Sequence, residues 1–192
     1  MRQIDAVVIG ASAGGVEGLS VLLPALPATL RVPVFIVMHL PREHRSLLPE
    51  IFAPKCALRV SEAEDKAPAA PGWVYFAPPD YHLLLDEGPS MALSVDDPVH
   101  FSRPSIDVLF ESASDLYREQ LLGIILTGAS RDGAAGLAAV REAGGVTVVQ
   151  QPDGTYESHM ATAALQLGPV DFVLPLQGIA GLFRSLPMIE MR

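Results

Sequence analysis

Three polar residues of this chain can do chemistry together: Ser12, His39 and Asp132. Ser12 lies in Gly10-Ala11-Ser12-Ala13-Gly14, which fits the G-x-S-x-G pattern of a strained strand-to-helix turn that exposes a nucleophilic hydroxyl. Ala6-Val7-Val8-Ile9 before it reads as a strand buried on both faces, and Val16 to Leu26 behind it as a helix. The glycines permit a tight turn, and the free N–H groups at the helix start can hold an anion. A dinucleotide fingerprint needs Gly where Ser12 stands, and a P-loop needs Lys-Ser/Thr where Val16-Glu17 stands. A glycine-rich turn in which Ser12 merely caps the helix fits this stretch as well as a nucleophile does.

His39 follows a second apolar run, Pro33 to Met38, and Asp132 lies in Thr127-Gly128-Ala129-Ser130-Arg131-Asp132-Gly133, after the run Leu122 to Leu126. In an open parallel sheet, sites form outside the carboxyl ends of the strands. The three residues therefore share one rim, and a hydroxyl, an imidazole and a carboxylate there make a serine-hydrolase set. Ser12 would attack an acyl carbon, His39 would take and return its proton, and Asp132 would fix the tautomer of His39. Backbone N–H groups of the Ala11–Gly14 turn, Ala13 included, or of the Gly128–Ala129 loop would supply an oxyanion hole. Each residue also has a plainer use: His39 held by a carbonyl, Asp132 capping the helix that follows it. Arg42, Arg45, Arg103 and Arg131 lie in or near the rim loops and can receive an anionic group, although solvated surface is the default for an arginine. His39 and His44 sit five apart in a loop, and His82, His100 and His159 are isolated, so no metal-ligand spacing is present and neither metal nor cofactor is expected. Cys56 has no partner motif and is expected to be an inert buried thiol.

The elements that must position these residues alternate. Ser46 to Phe52 reads as a short helix and Leu58 to Ser61 as a third strand. Ala67 to Gly72 is a Pro/Ala-rich surface link. It does not divide the chain, because the segment beyond it is too small to bury its own core; one domain over residues 1–192 is expected. Val74–Ala77, His82–Asp86 and Met91–Val95 read as short strands of an antiparallel hairpin or meander inserted in the α/β pattern. Ser105 is the expected N-cap of a helix from Ile106 to Arg118. Strands at Leu122–Leu126, Val146–Val149 and Phe172–Leu174 then alternate with helices at Ala134–Ala143, Ser158–Leu167 and Gly178–Ser185. This rhythm implies a parallel sheet covered on both faces. The net charge of −9 argues against a nucleic-acid-binding surface. No apolar run reaches a membrane span and the first residues enter a strand, so neither a signal peptide nor membrane insertion is expected. A single cysteine excludes an internal disulfide and suits a reducing cytoplasm.

Val8-Ile9-Gly10-Ala11-Ser12-Ala13-Gly14-Gly15, His39-Leu40-Pro41, Arg103-Pro104-Ser105-Ile106-Asp107-Val108-Leu109-Phe110 and Leu126-Thr127-Gly128-Ala129-Ser130-Arg131-Asp132-Gly133-Ala134-Ala135-Gly136 resemble the catalytic domain of chemotaxis protein-glutamate methylesterases of the CheB type. The resemblance runs from about Val7 to about Leu186. It implies a doubly wound α/β/α fold with a mainly parallel sheet. It implies hydrolysis of glutamyl methyl esters on the cytoplasmic helices of chemoreceptors, releasing methanol, and in some members glutamine deamidation. Carried over by motif, Ser12 is the nucleophile, His39 the base and Asp132 its partner, with the Ala129 N–H in the oxyanion hole. Ala13 stands where the family commonly has Thr, and Ser130-Arg131 where Gly-Asn is usual; the segment Gln151 to Ala164 matches loosely. These departures bear on substrate choice more than on reaction type. Typical members carry an N-terminal receiver domain that covers the site. A strand within the first residues leads us to expect a stand-alone catalytic domain, gated, if at all, by a separate regulatory protein on the rim. Two rival readings stay open: a non-catalytic α/β anion-binding module, and an esterase or amidase for small molecules.

Overall fold

A computed structural model describes residues 2–40, 45–186 and 188–189. A two-residue strand, β1 (Arg2–Gln3), leads into β2 (Ala6–Ala11), α1 (Gly15–Leu22) and β3 (Val34–Met38). Alternate residues of a strand face opposite layers. Val7, Ile9 and Ala11 of β2 and Val34, Ile36 and Met38 of β3 therefore enter one core, while Ala6, Val8, Phe35 and Val37 enter the other. The expected first helix is shortened: α1 stops at Leu22, and Leu23–Ala25 forms a 3₁₀ turn around Pro24, which has no N–H to continue the ladder.

The chain continues through α2 (Leu48–Phe52), β4 (Arg59–Glu62), β5 (Trp73–Phe76), β6 (His82–Asp86), β7 (Ser90–Ser94), α3 (Ile106–Tyr117) and β8 (Leu121–Ile125). It ends with α4 (Ala134–Glu142), β9 (Val146–Gln150), α5 (His159–Gln166), β10 (Phe172–Leu174), α6 (Leu176–Phe183) and β11 (Met188–Ile189), the last antiparallel to β1. Seven strands form one sheet in the order β10-β9-β8-β2-β3-β5-β4, and every pairing in it is parallel. Apolar residues of α1, α2 and α6 fill the core on one face, and those of α3, α4 and α5 fill the other. The result is a doubly wound, three-layer α/β/α fold.

One expectation is corrected. Trp73–Phe76 is not part of an antiparallel insertion; it is β5, parallel to β3 and β4 and inside the main sheet. Its sequence carries the reason: Val74 and Phe76 fill one core and Tyr75 the other, the two-sided burial of a parallel strand. The antiparallel insertion is the β6–β7 hairpin alone, which contributes Leu83, Leu85 and Met91 to the α3 side.

From β2 the chain winds to β3 on one side, and later from β8 to β9 on the other. The sheet order thus reverses between β2 and β8, where a crevice opens beyond the carboxyl ends of the strands.

Candidate active site

Ser12 occupies the turn between β2 and α1. The N-cap of α1 is Gly14, in the left-handed region at φ 74°, and no side chain caps that helix. The capping reading of Ser12 therefore does not hold. Its hydroxyl faces His39 instead, 3.2 Å from Nδ1. The turn is tied to the loop beyond β8: the Ser12 N–H donates to the Thr127 carbonyl at 3.0 Å, and the Ser12 carbonyl accepts from Gly15 at 2.8 Å. That loop can lie so close only because Gly128 has no side chain; a Cβ there would sit 2.8 Å from the Ser12 Cβ. His39 follows β3 directly, and its N–H donates to the Ala11 carbonyl at 3.2 Å. The β2–β3 ladder thus sets the imidazole beside the hydroxyl.

The other ring nitrogen, Nε2, lies 2.7 Å from Asp132 Oδ2. An ionised carboxylate only accepts, so Nε2 carries the proton and Nδ1 presents its lone pair to Ser12. The ring is turned over relative to the protease template, in which Nε2 faces the serine. Asp132 is fully buried. It does not cap the helix that follows, whose N-cap is Gly133 without a side-chain bond. It caps α3. Oδ2 also accepts from the Ile106 N–H at 2.7 Å, and Oδ1 accepts from the Ser105 hydroxyl at 2.7 Å and the Asp107 N–H at 3.1 Å. Burial alone would raise the Asp132 carboxyl, but the bonds from His39, Ile106, Asp107 and Ser105 outweigh it and hold the group below the usual carboxylate range. A permanent anion at that place keeps the tautomer of His39 and stabilises its protonated form.

Asp107 returns the favour to α4. Its Oδ1 accepts from Gly133 at 2.9 Å and from Gly136 at 2.6 Å, while His100 Nε2 lies 3.4 Å from Oδ2. The starts of α3 and α4 thus exchange aspartates, each carboxylate resting on the positive end of the other helix. Ser105 is the N-cap of α3 as expected, accepting from Val108. Its bond to Asp132 is a second role that the local pattern did not reveal. Buried His82 was also missed: its Nδ1 accepts from the Ser105 N–H at 3.1 Å and its Nε2 donates to the Asp97 carbonyl at 3.1 Å. An acidic residue in a helix's first turn hints at capping, but nothing local tells which helix it caps.

The remaining candidates divide. Among the described residues, the N–H groups of Ala13 and Ala129 donate to no other group, whereas that of Gly128 is taken by the Glu157 carbonyl at 2.6 Å. A groove of about 410 Å³ beside Ser12 and His39 is lined by Ala13, Gly14, Val16, Glu17 and Met38. Arg45 is exposed and paired with Glu50 at 2.5 Å. Arg131 is exposed on the loop that carries Asp132. Arg103 binds Asp80 and the carbonyls of Val95 and Asp96, so it fastens the end of the hairpin. Arg42 and His44 lie outside the described residues. Cys56 is half-buried rather than buried, and burial pushes its thiol up. No helix among the described residues is long and apolar enough to cross a membrane.

The model of the family described as CheB methylesterase matches residues 7–183. A protein of Leptospira interrogans named "Putative protein-glutamate methylesterase/protein-glutamine glutaminase" is 44% identical over 182 residues, covering 95% of this chain and 94% of that one. The protein-glutamate methylesterase/protein-glutamine glutaminase of Symbiobacterium thermophilum is 38% identical over 174 residues, covering 91% of this chain and 48% of its own length. The chain therefore spans nearly all of the first relative and about half of the second. Among solved structures, the catalytic domain of the Thermotoga maritima CheB methylesterase superposes with a TM-score of 0.90 at 31% identity, covering 95% of this chain and 98% of that one.

Proposed function

The chain belongs to the CheB methylesterase family, and from that premise we propose that it hydrolyses glutamyl methyl esters of chemoreceptor proteins, with Ser12 as nucleophile, His39 as base and Asp132 as its partner. The observation that carries the assignment is the unbroken chain from the Ser12 hydroxyl through His39 to a buried, ionised Asp132. His39 Nδ1 takes the hydroxyl proton as Ser12 Oγ bonds to the ester carbon. The N–H groups of Ala13 and Ala129 receive the charge that develops on the carbonyl oxygen. The intermediate collapses with expulsion of methanol, whose oxygen takes the proton back from Nδ1. Water then repeats the cycle on the acyl-serine, leaving glutamate and free Ser12. The same steps on a glutamine side chain would release ammonia, the second activity in the relatives' names.

We treat residues 1–192 as one catalytic domain, because both cores share the single seven-stranded sheet. Its partner is the methylated helix of a cytoplasmic receptor segment, and a separate regulatory protein would have to bind the same rim. A module that only bound an anion would have no use for a base bonded to Ser12. The test is methanol release from methylated receptor. Ser12→Ala should lose turnover apart from a residual rate of about 10³–10⁴ over water. Equal turnover in wild type and variant would overturn the assignment.

A further inference from the structure

We propose that Asp107 is a positioning residue of this site, holding the turn that carries Asp132 through the backbone N–H groups of Gly133 and Gly136. The proposal rests on the Ser12–His39–Asp132 reading above. Asp107 touches neither Ser12 nor the groove beside it, so any effect on the reaction must pass through Asp132.

Three observations support it. First, both carboxylate oxygens of Asp132 point to the α3 side and to His39, accepting from Ser105, Ile106, the Asp107 N–H and His39. Toward α4 its turn is tied by main-chain groups: the Asp132 N–H donates to Ser130 Oγ at 3.1 Å, and the Arg131 carbonyl accepts from Ala134 at 3.3 Å. Second, the residue after Asp132 has nothing but its backbone to be held by. Gly133 sits at φ 98°, and a Cβ there would meet Ile125 Cδ1 at 2.7 Å and Ile106 Cγ2 at 2.8 Å. The Asp107 carboxylate grips that backbone at 2.9 Å and the next turn of the helix, at Gly136, at 2.6 Å. Third, Gly136 is itself fitted to the grip, since a Cβ there would lie 3.2 Å from Asp107 Oδ1 and 2.6 Å from Phe110 Cβ. The two helix starts therefore form one clamp, with Asp132 on one jaw and Asp107 on the other.

The charges agree with a role beyond holding the fold together. Asp132, on the loop before α4, and His100, on the segment before α3, are the titratable groups facing Asp107. Burial pushes the Asp107 carboxyl up to about 6; the Gly136 and Gly133 N–H groups and His100 oppose this, and the Asp132 charge adds to it. A second buried carboxylate beside the first is costly for a helix cap, which serine or threonine could supply without charge. It does, however, give the His39–Asp132 pair an additional negative neighbour when His39 takes a proton.

The experiment follows the rate at which a fluorophosphonate labels Ser12, and kcat and KM for p-nitrophenyl acetate, in wild type, Asp107→Ala and Asp107→Asn. Circular dichroism and Tm confirm folding at the assay temperature. Freed from its grip, the Asp132 turn shifts, and a misplacement of about 1 Å can cost about 10²-fold. Asp107→Ala should therefore label about 10- to 100-fold more slowly, with kcat falling and KM little changed. Asp107→Asn keeps an acceptor oxygen for both N–H groups and should restore most of the plateau rate. A folded Asp107→Ala with the wild-type labelling rate overturns the proposal. If that variant does not fold, a folded Asp107→Asn that labels at least about 10-fold more slowly than wild type overturns it, because the acceptor oxygen is retained there. A wild type that takes no label, or labels no faster than Ser12→Ala, overturns the hydrolase reading and this proposal with it; equal rates in labelled wild type and folded Asp107→Ala overturn the positioning role alone.

Discussion

At the scale of single residues, the decisive group is Asp132, because both of its oxygens are fully used. Oδ2 receives His39 and Ile106, and Oδ1 receives Ser105 and the Asp107 N–H. In Asp132→Asn an NH₂ group must face donors at one of these places. If it faces His39, the imidazole is pushed into the wrong tautomer, a fault that costs about 10⁴ in kcat in the protease precedent. If it faces α3, buried donors are opposed and about 1–3 kcal/mol of stability is lost. We expect kcat to fall at least 100-fold with the fold retained, measured by methanol release alongside urea unfolding. The pH dependence has a definite sign. The folded carboxyl of Asp132 titrates below its unfolded range. Its stabilisation is therefore full above the unfolded value near ~4 and is lost as pH falls through the lower folded value. Asp132→Asn should lack that acid-side loss, so its stability should vary less than that of the wild type below about pH 4. An identical acid profile in the two proteins would contradict this bonding.

At the scale of elements, the site depends on how closely β2 and the loop after β8 approach. Gly128 is the point of contact, with Ser12 Cβ on one side and Met160 on the other. Gly128→Ala must move one of them. Met160 can yield through its flexible end, but Ser12 sits on a turn fixed by Thr127 and Gly15. We expect a loss of about 1–3 kcal/mol from overpacking and a drop in labelling of Ser12 of up to about 10²-fold; a variant with the wild-type labelling rate would show that the two loops are not held this tightly. Element scale is also where the sequence was most and least legible. The strand, the glycine turn and the helix around Ser12 are local signals, and so is the rim shared with His39 and Asp132, because buried apolar runs end just before the segments that carry them. Trp73–Phe76 was misplaced because four bulky residues between turns read alike as an antiparallel or a parallel strand. Only the partners, β3 on one side and β4 on the other, decide the matter. The exchange of Asp107 and Asp132 was illegible for the same reason. Each looks like a cap for its own helix, and the crossing of caps is a property of how α3 packs on α4.

At the scale of the whole molecule, the chain carries 22 acidic residues against 13 Lys and Arg, giving −9. By the family resemblance its proposed substrate is a segment of acidic helices, so the overall field opposes the encounter and only a local positive patch can offset it. Arg131 is the best placed described residue, exposed one position before Asp132, with its guanidinium bonded to no partner among the described residues. Arg45 is weaker, since Glu50 already occupies it. A rim charge acts on encounter and register rather than on bond breaking. Replacing Arg42, Arg45 and Arg131 together by Gln should therefore lower kcat/KM for methylated receptor by about threefold to tenfold, in keeping with the small worth of exposed charges. Turnover of p-nitrophenyl acetate should hardly change, because a neutral ester has no need of them. Raising the ionic strength to about 0.5 M should bring wild type and variant together on the receptor as the charges are screened. Arg131→Gln alone should account for more of the loss than Arg45→Gln. Equal losses on receptor and small ester would mean that these arginines act on the catalytic groups and not on the partner, and the absence of any salt dependence would point to recognition through the apolar wall of the groove at Val16 and Met38.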